Sequence, residues 1–364
     1  MPRLPVSGAC GVWRYRRLLP VRDKDDIVSM GEGGTPLVRS LYLGRELGVE
    51  NLYFKDETRN PTGTFKDRGT TVGVSFAVDK GLKGVGCVST GNMAMSVAAY
   101  AARAGLPALV LVPPDTPTDK MLPLLAYGAK VVVIDCAYPE IFRFGLEVSR
   151  RFHYLWLHSD SPLRVEGQKT CAWEIWEQLG RTVPDKVVVP TSSGGNISAI
   201  WKGFCELKSM GLTDRLPKMV VVQATGCSPI VRAYVRGAVE VVPFTRVTTV
   251  AHSVSNPDPP SGNRALRLLM ESGGTAVAVS DRRMLTARAE LAIREGILAE
   301  TASAAGPAAL PLLVRSGFVM EHDTVVCVIT GTGLKDMGTF NSGGARPLYS
   351  NSPDDWLRAL EREN

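Results

Sequence analysis

Short β-branched runs alternate with helix-like segments along most of this chain. A strand is predicted near Val85 to Ser89, then an alanine-rich helix from Met93, a strand near Ala108 to Val112 and a helix near Lys120. A strand near Lys130 to Ile134 and a helix near Ile141 continue the series, and a second series of the same kind opens near Lys186 and closes near Thr330. Strand–helix–strand order implies a parallel sheet wrapped by helices, so the predicted fold is α/β, with two lobes and a cleft between them. Ligands in such folds collect at the carboxyl ends of the strands. The proline-rich stretch from Asn256 to Gly262 reads as a loop, and the chain from about Ser342 is expected to be poorly ordered.

The strand ends carry the candidate chemistry. The run Asn60-Pro61-Thr62-Gly63-Thr64-Phe65-Lys66-Asp67-Arg68-Gly69 sets one lysine in a turn, Pro61 and Gly63 supplying its rigid and permissive backbone. The hydroxyls of Thr62 and Thr64, the ring of Phe65 and the charges of Asp67 and Arg68 are expected to wall Lys66, whose amine could then serve as a nucleophile. Three other strands lead into polar turns. Val187 to Val189 runs into Thr191-Ser192-Ser193-Gly194-Gly195-Asn196-Ile197, a strand, an amide-lined loop and a helix start able to hold a phosphate. Cys87-Val88 runs into Ser89-Thr90-Gly91-Asn92-Met93, where free N–H groups could hold a second anion such as a carboxylate, and Val325 to Ile329 ends in Thr330-Gly331-Thr332-Gly333. Alone, each glycine turn is an ordinary α/β connection; their occurrence together with the lysine turn is what points to a site.

Composition narrows the class. With 364 residues, 45% hydrophobic and 21% charged, the chain has globular usage. A net charge of +6 without long basic runs suits anionic small molecules better than nucleic acid. No membrane span or signal-peptide core is expected, and the seven scattered cysteines without a Cys-x-x-Cys fit a reducing, cytoplasmic compartment. The four histidines hold no pair at helical ligand spacing and no glycine loop ends as a nucleotide-binding P-loop, so no metal or nucleotide site is expected.

In their order, Gly31 to Leu37, Asn60 to Gly69, Ser89 to Asn92, Gly194 to Asn196 and Thr330 to Asp336 resemble the fold-type-II enzymes that use pyridoxal 5'-phosphate (PLP). Trp13 to Arg16, Arg164 to Thr170 and Arg294 to Ala305 resemble, more narrowly, the threonine synthase family. The resemblance implies a small lobe over 61–159 carrying the lysine and the Ser-Thr-Gly-Asn loop, and a large lobe from 1–60 with 160–364. It implies a homodimer taking a small phosphorylated amino acid. Lys66 would bind PLP as a Schiff base with Phe65 beside it and later shuttle protons. Asn92 would meet the phenolic oxygen, Gly194, Gly195, Asn196 and Ile197 the phosphate, and Thr330 the ring nitrogen, leaving it largely unprotonated. Ser89, Thr90 and the backbone at Met93 would hold the substrate carboxylate, and Ser159 and Arg164, with His158 alongside, the substrate phosphate.

Four positions depart from the family pattern: Met93 stands for a threonine, His158 for an asparagine, His252 for an aliphatic residue near the ring, and Thr332 for the histidine of Thr-Gly-His-Gly. The implied reaction is O-phosphohomoserine and water to threonine and phosphate. A sibling lyase acting on phosphoserine and sulfite in the manner of a cysteate synthase, a threonine or serine dehydratase, and a PLP-binding regulator without catalysis are the alternatives; intact Lys66 and Asn92 discourage the last.

Overall fold

The computed structural model describes residues 10–21, 26–136 and 138–339. The expected disorder from about Ser342 lies outside the described residues.

Two sheets organise the chain. The larger holds six strands: β1 (Leu37–Arg39), β2 (Asn51–Asp56), β7 (Lys186–Pro190), β8 (Lys218–Ala224), β9 (Thr275–Val279) and β10 (Thr324–Ile329), in the spatial order β1-β2-β10-β7-β8-β9. The smaller has four: β3 (Gly84–Val88), β4 (Ala108–Val112), β5 (Lys130–Val133) and β6 (Tyr154–Trp156), in the order β5-β4-β3-β6. Every pairing is parallel except β1 with β2. The α/β expectation therefore holds, with β3 and β5 each placed within a residue or so of the predicted span.

The near-continuous apolar strands β7, β8 and β10 are explained by burial on both faces. Successive side chains point to opposite sides, so Val188, Val220 and Cys327 pack under the helices Asp281–Glu295 and Ala305–Arg315. Val187, Val189, Val221 and Val326 pack instead under Thr170–Gln178, Gly195–Ser209 and Gly262–Ser272.

The lysine turn opens the helix Lys66–Asp79, which lies against the helix Pro162–Gln168. Glycine permits this closeness: a Cβ on Gly167 would sit 1.8 Å from the Arg68 carbonyl oxygen. A buried ion network then fixes the same helix to the large sheet. Arg68 donates to both oxygens of Glu57 (2.6 and 2.7 Å) and both of Glu174 (2.7 and 2.6 Å), while Lys55 on β2 donates to Glu174 at 2.8 Å. Burial alone would raise the Glu174 carboxyl, yet Arg68 and Lys55 hold it well below the ordinary carboxylate range.

Candidate active site

The lysine turn is laced to the end of β10. Phe65 N donates to Thr330 O at 3.0 Å, Thr64 Oγ1 donates to the same oxygen at 3.1 Å, Thr332 N donates to Gly63 O at 2.9 Å, and Lys335 Nζ reaches Thr62 O at 2.8 Å. Asp67 steadies the turn from inside, accepting from Thr62 N and Oγ1 (2.7 and 2.6 Å) and from Ser96 Oγ (2.6 Å). Lys66 Nζ stands 4.4 Å from the centre of the Phe65 ring. Burial, with the Arg164 charge, lowers the Lys66 amine to about 7, Glu300 pulling the other way.

One wall residue expected around Lys66 is not there. Arg68 follows Lys66 by two positions in a helix, which turns it about 200° round the axis, into the Glu57–Glu174 network.

The loop after β3 leads into the helix Asn92–Ala104, and Asn92 Nδ2 donates to both oxygens of Glu300, at 3.1 and 2.9 Å. Glu300 also accepts from Ser253 Oγ (3.2 Å) and Ser303 Oγ (3.3 Å), and Ser303 Oγ lies 2.7 Å from Thr330 Oγ1. Burial raises the Glu300 carboxyl, against Lys335 and its hydrogen bonds. Asn92 and Thr330 thus meet at one acid that motif reading left without a role. The signal was a lone carboxylate among small residues in Ala299-Glu300-Thr301-Ala302-Ser303.

The loop after β7 emerges beside Thr330, because β7 and β10 are parallel neighbours. Gly194 takes a left-handed φ of +84°, and a Cβ on Gly195 would come within 2.7 Å of Ser159 O. Asn196 Nδ2 is buried at the start of the helix Gly195–Ser209 with no hydrogen-bond partner among the described residues. Arg164 is fully buried; its Nη1 donates to Met93 Sδ, while Nε and Nη2 have no hydrogen-bond partner among the described residues. Burial lowers the Arg164 guanidinium to about 10. His158 Nδ1 pairs with Asp160 Oδ1 at 2.6 Å. His252 is exposed in the turn His252–Val254, whose Ser253 reaches Glu300, and Thr332 packs its methyl towards Gly63.

The sequence of these motifs matches the family described as pyridoxal-phosphate dependent enzyme over residues 28–331. The chain belongs to that family. Within it, the chain is 44% identical to the threonine synthase of Methanocaldococcus jannaschii over 97% of this chain and 87% of that one. The threonine synthase of Methanosarcina acetivorans is likewise 44% identical, over 95% of this chain and 85% of its own. At that level the chain belongs among the threonine synthases. Maize serine racemase shares the fold with a TM-score of 0.70 at 22% identity, covering 90% of this chain and 93% of its own.

The residues present fit the family's cofactor. PLP asks for a desolvated amine, N–H donors for a phosphate, and polar groups at the ring edge. Lys66 offers the first, the helix start at Gly195 with the Asn196 side-chain amide, unpartnered among the described residues, the second, and Asn92 and Thr330 the third.

Proposed function

We propose that this protein is a PLP-dependent threonine synthase, a lyase that turns O-phospho-L-homoserine and water into L-threonine and phosphate. The buried Arg164 guanidinium carries the reading. It lies within electrostatic reach of the Lys66 amine and has two nitrogens unpartnered among the described residues. A planar fork of N–H donors suits a phosphate ester, whereas a dehydratase substrate brings no second anion to this cation.

PLP, when bound, supplies the sink for negative charge developing on the substrate carbons. Lys66 Nζ holds it and, when freed, takes the α-proton and then a β-proton; an amine brought down to about 7 is half neutral at neutral pH. Asn92 would meet the phenolic oxygen, with Phe65 flanking the lysine; Gly194, Gly195, Asn196 and Ile197 would hold the cofactor phosphate, and Thr330 would meet the ring nitrogen. Ser89, Thr90 and the Met93 amide grip the substrate carboxylate. Ser159 and Arg164, with His158 beside them, grip the phosphate that leaves the γ-carbon; the abstracted protons then return to the γ- and α-carbons as water adds at the β-carbon. The lobes are 61–159 and 1–60 with 160–364, and the working form is a cytoplasmic homodimer, which light scattering after gel filtration tests.

The deciding experiment measures phosphate release from O-phosphohomoserine, and from phosphoserine with and without sulfite. Release from phosphohomoserine together with threonine formation is expected. Release only from phosphoserine, and only with sulfite, overturns the threonine synthase reading in favour of a cysteate synthase-like lyase.

A further inference from the structure

Glu300 is 6% exposed, and among the described residues its carboxylate joins both residues read as ring-edge contacts, Asn92 directly and Thr330 through Ser303. Its backbone is pinned to the same place, since Glu300 N donates to Gly331 O at 3.0 Å and Ser303 N donates to Glu300 O at 2.9 Å. Ser303 is wholly buried and Thr330 is 4% exposed, so neither hydroxyl turns to solvent for a partner.

A hydroxyl has one proton to give, and two linked hydroxyls therefore cannot choose their directions independently. When Glu300 is a carboxylate it accepts only. Ser303 then gives its proton to Oε1, Thr330 gives its proton to Ser303, and Thr330 presents a lone pair to the cleft. When Glu300 is protonated it can donate to Ser303, which donates to Thr330, and Thr330 presents its O–H to the cleft.

We propose that Glu300 is a positioning residue whose charge, passed through Ser303, sets whether Thr330 offers a proton or a lone pair to the ring nitrogen of bound PLP. The Asn92 contact gives the same carboxylate a hold on the residue that would meet the phenolic oxygen. This rests on the reading of Thr330 as the ring-nitrogen contact, and it makes that contact switchable where the family resemblance implies a fixed donor. The charged groups that act on Glu300 are Lys335, which favours the carboxylate, Asp336, which opposes it, and Lys66, whose amine the Glu300 charge favours in protonated form. Asn92 and Ser253 donate to it as neutral partners. Burial raises its carboxyl above the ordinary glutamate value, against Lys335 and the hydrogen bonds from Asn92 and Ser253.

The test uses the full chain loaded with PLP labelled with nitrogen-15 in the ring, read by the ring nitrogen's chemical shift against pH. With Glu300 as a carboxylate, the wild-type ring nitrogen is expected to keep its proton to higher pH than a neutral residue at position 300 allows. Glu300→Gln, which cannot ionise and still donates through its amide, is expected to lower that midpoint and hold the signal nearer the unprotonated value. Ser303→Ala breaks the link while leaving Glu300 in place and is expected to lower the midpoint likewise. A midpoint that is the same in the wild type and in both variants overturns the proposal. Thr330→Val separates this from failure of the underlying reading: a signal unchanged from wild type in that variant means Thr330 does not face the ring nitrogen at all.

Discussion

Arg164 ends against Met93: Nη1 of the guanidinium donates to the thioether sulfur, deep in the cleft and away from solvent. A thioether is a weak acceptor, so a phosphate oxygen outcompetes it for that nitrogen. Met93 is also one of the four departures from the family pattern, so the proposed grip on the substrate phosphate is tested at this pair. Arg164→Ala is expected to lower kcat/KM for phosphohomoserine at least ten-fold, as charge-assisted bonds contribute about 1.5–3 kcal/mol. Met93→Thr is expected to keep or raise that activity. A fall on phosphohomoserine with Met93→Thr would mean the methionine serves the pocket as it stands.

Cofactor capture is expected to follow the Lys66 amine. The neutral amine is the reactive form, so the rate at which the PLP-free protein takes up cofactor covalently should rise through about pH 7 and level above it. Below that midpoint it should fall about ten-fold per pH unit. Stopped-flow absorbance on adding PLP measures this. A midpoint near the ordinary lysine value of about 10.4 would contradict the desolvated site. Lys66→Ala is expected to lose turnover and borohydride labelling while still binding PLP noncovalently through the Gly194 loop and Asn92.

Gly195→Ala places a methyl within 2.7 Å of the Ser159 carbonyl and must displace one loop or the other. PLP affinity of the Lys66→Ala background, which isolates the noncovalent contacts, is expected to weaken about ten-fold or more. Equilibrium dialysis reads it directly, and unchanged affinity would place the cofactor phosphate elsewhere.

Arg68→Met leaves Glu57 buried without its main counter-ion and Glu174 with Lys55 alone. Urea unfolding is expected to show a loss of about 3–5 kcal/mol. Arg68 holds both carboxyls below their ordinary range, so the wild type keeps this contribution above the unfolded glutamate value of about 4.3 and loses it as pH falls towards the depressed native values. The wild-type advantage over Arg68→Met should therefore shrink in acid.

Much of this arrangement was legible before any coordinates. Strand and helix order in the small sheet followed from β-branched runs and the alanine-rich segment after Ser89, because each element there is local and strongly patterned. The motif residues Lys66, Asn92, Gly194 and Thr330 were legible as strand-end turns. Glu300 was not, since its meaning comes from Asn92, 208 residues away, and from a serine that reads as ordinary small-residue packing. The direction of Arg68 was misread for a local reason: proximity in sequence to Lys66 says nothing about which side of a helix a side chain leaves.

The position of β10 has a consequence for how the enzyme comes into being. β10 lies between β2 and β7, and its end carries Thr330, to which the lysine turn is tied across 266 residues. A nascent chain emerging from the ribosome can assemble the small sheet early, from contacts among β3 to β6. The large sheet has a gap at its centre until the strand nearest the end of the described chain arrives to fill it. A translation product stopped before Thr324 carries Lys66, Asn92 and the glycine loop, with Ser96 and Asp67 joining the first two, yet lacks Thr330 and the strand that ties the lysine turn to the large sheet. An unfilled centre leaves β2 and β7 with open edges, so full cofactor capture is expected only once synthesis has passed β10.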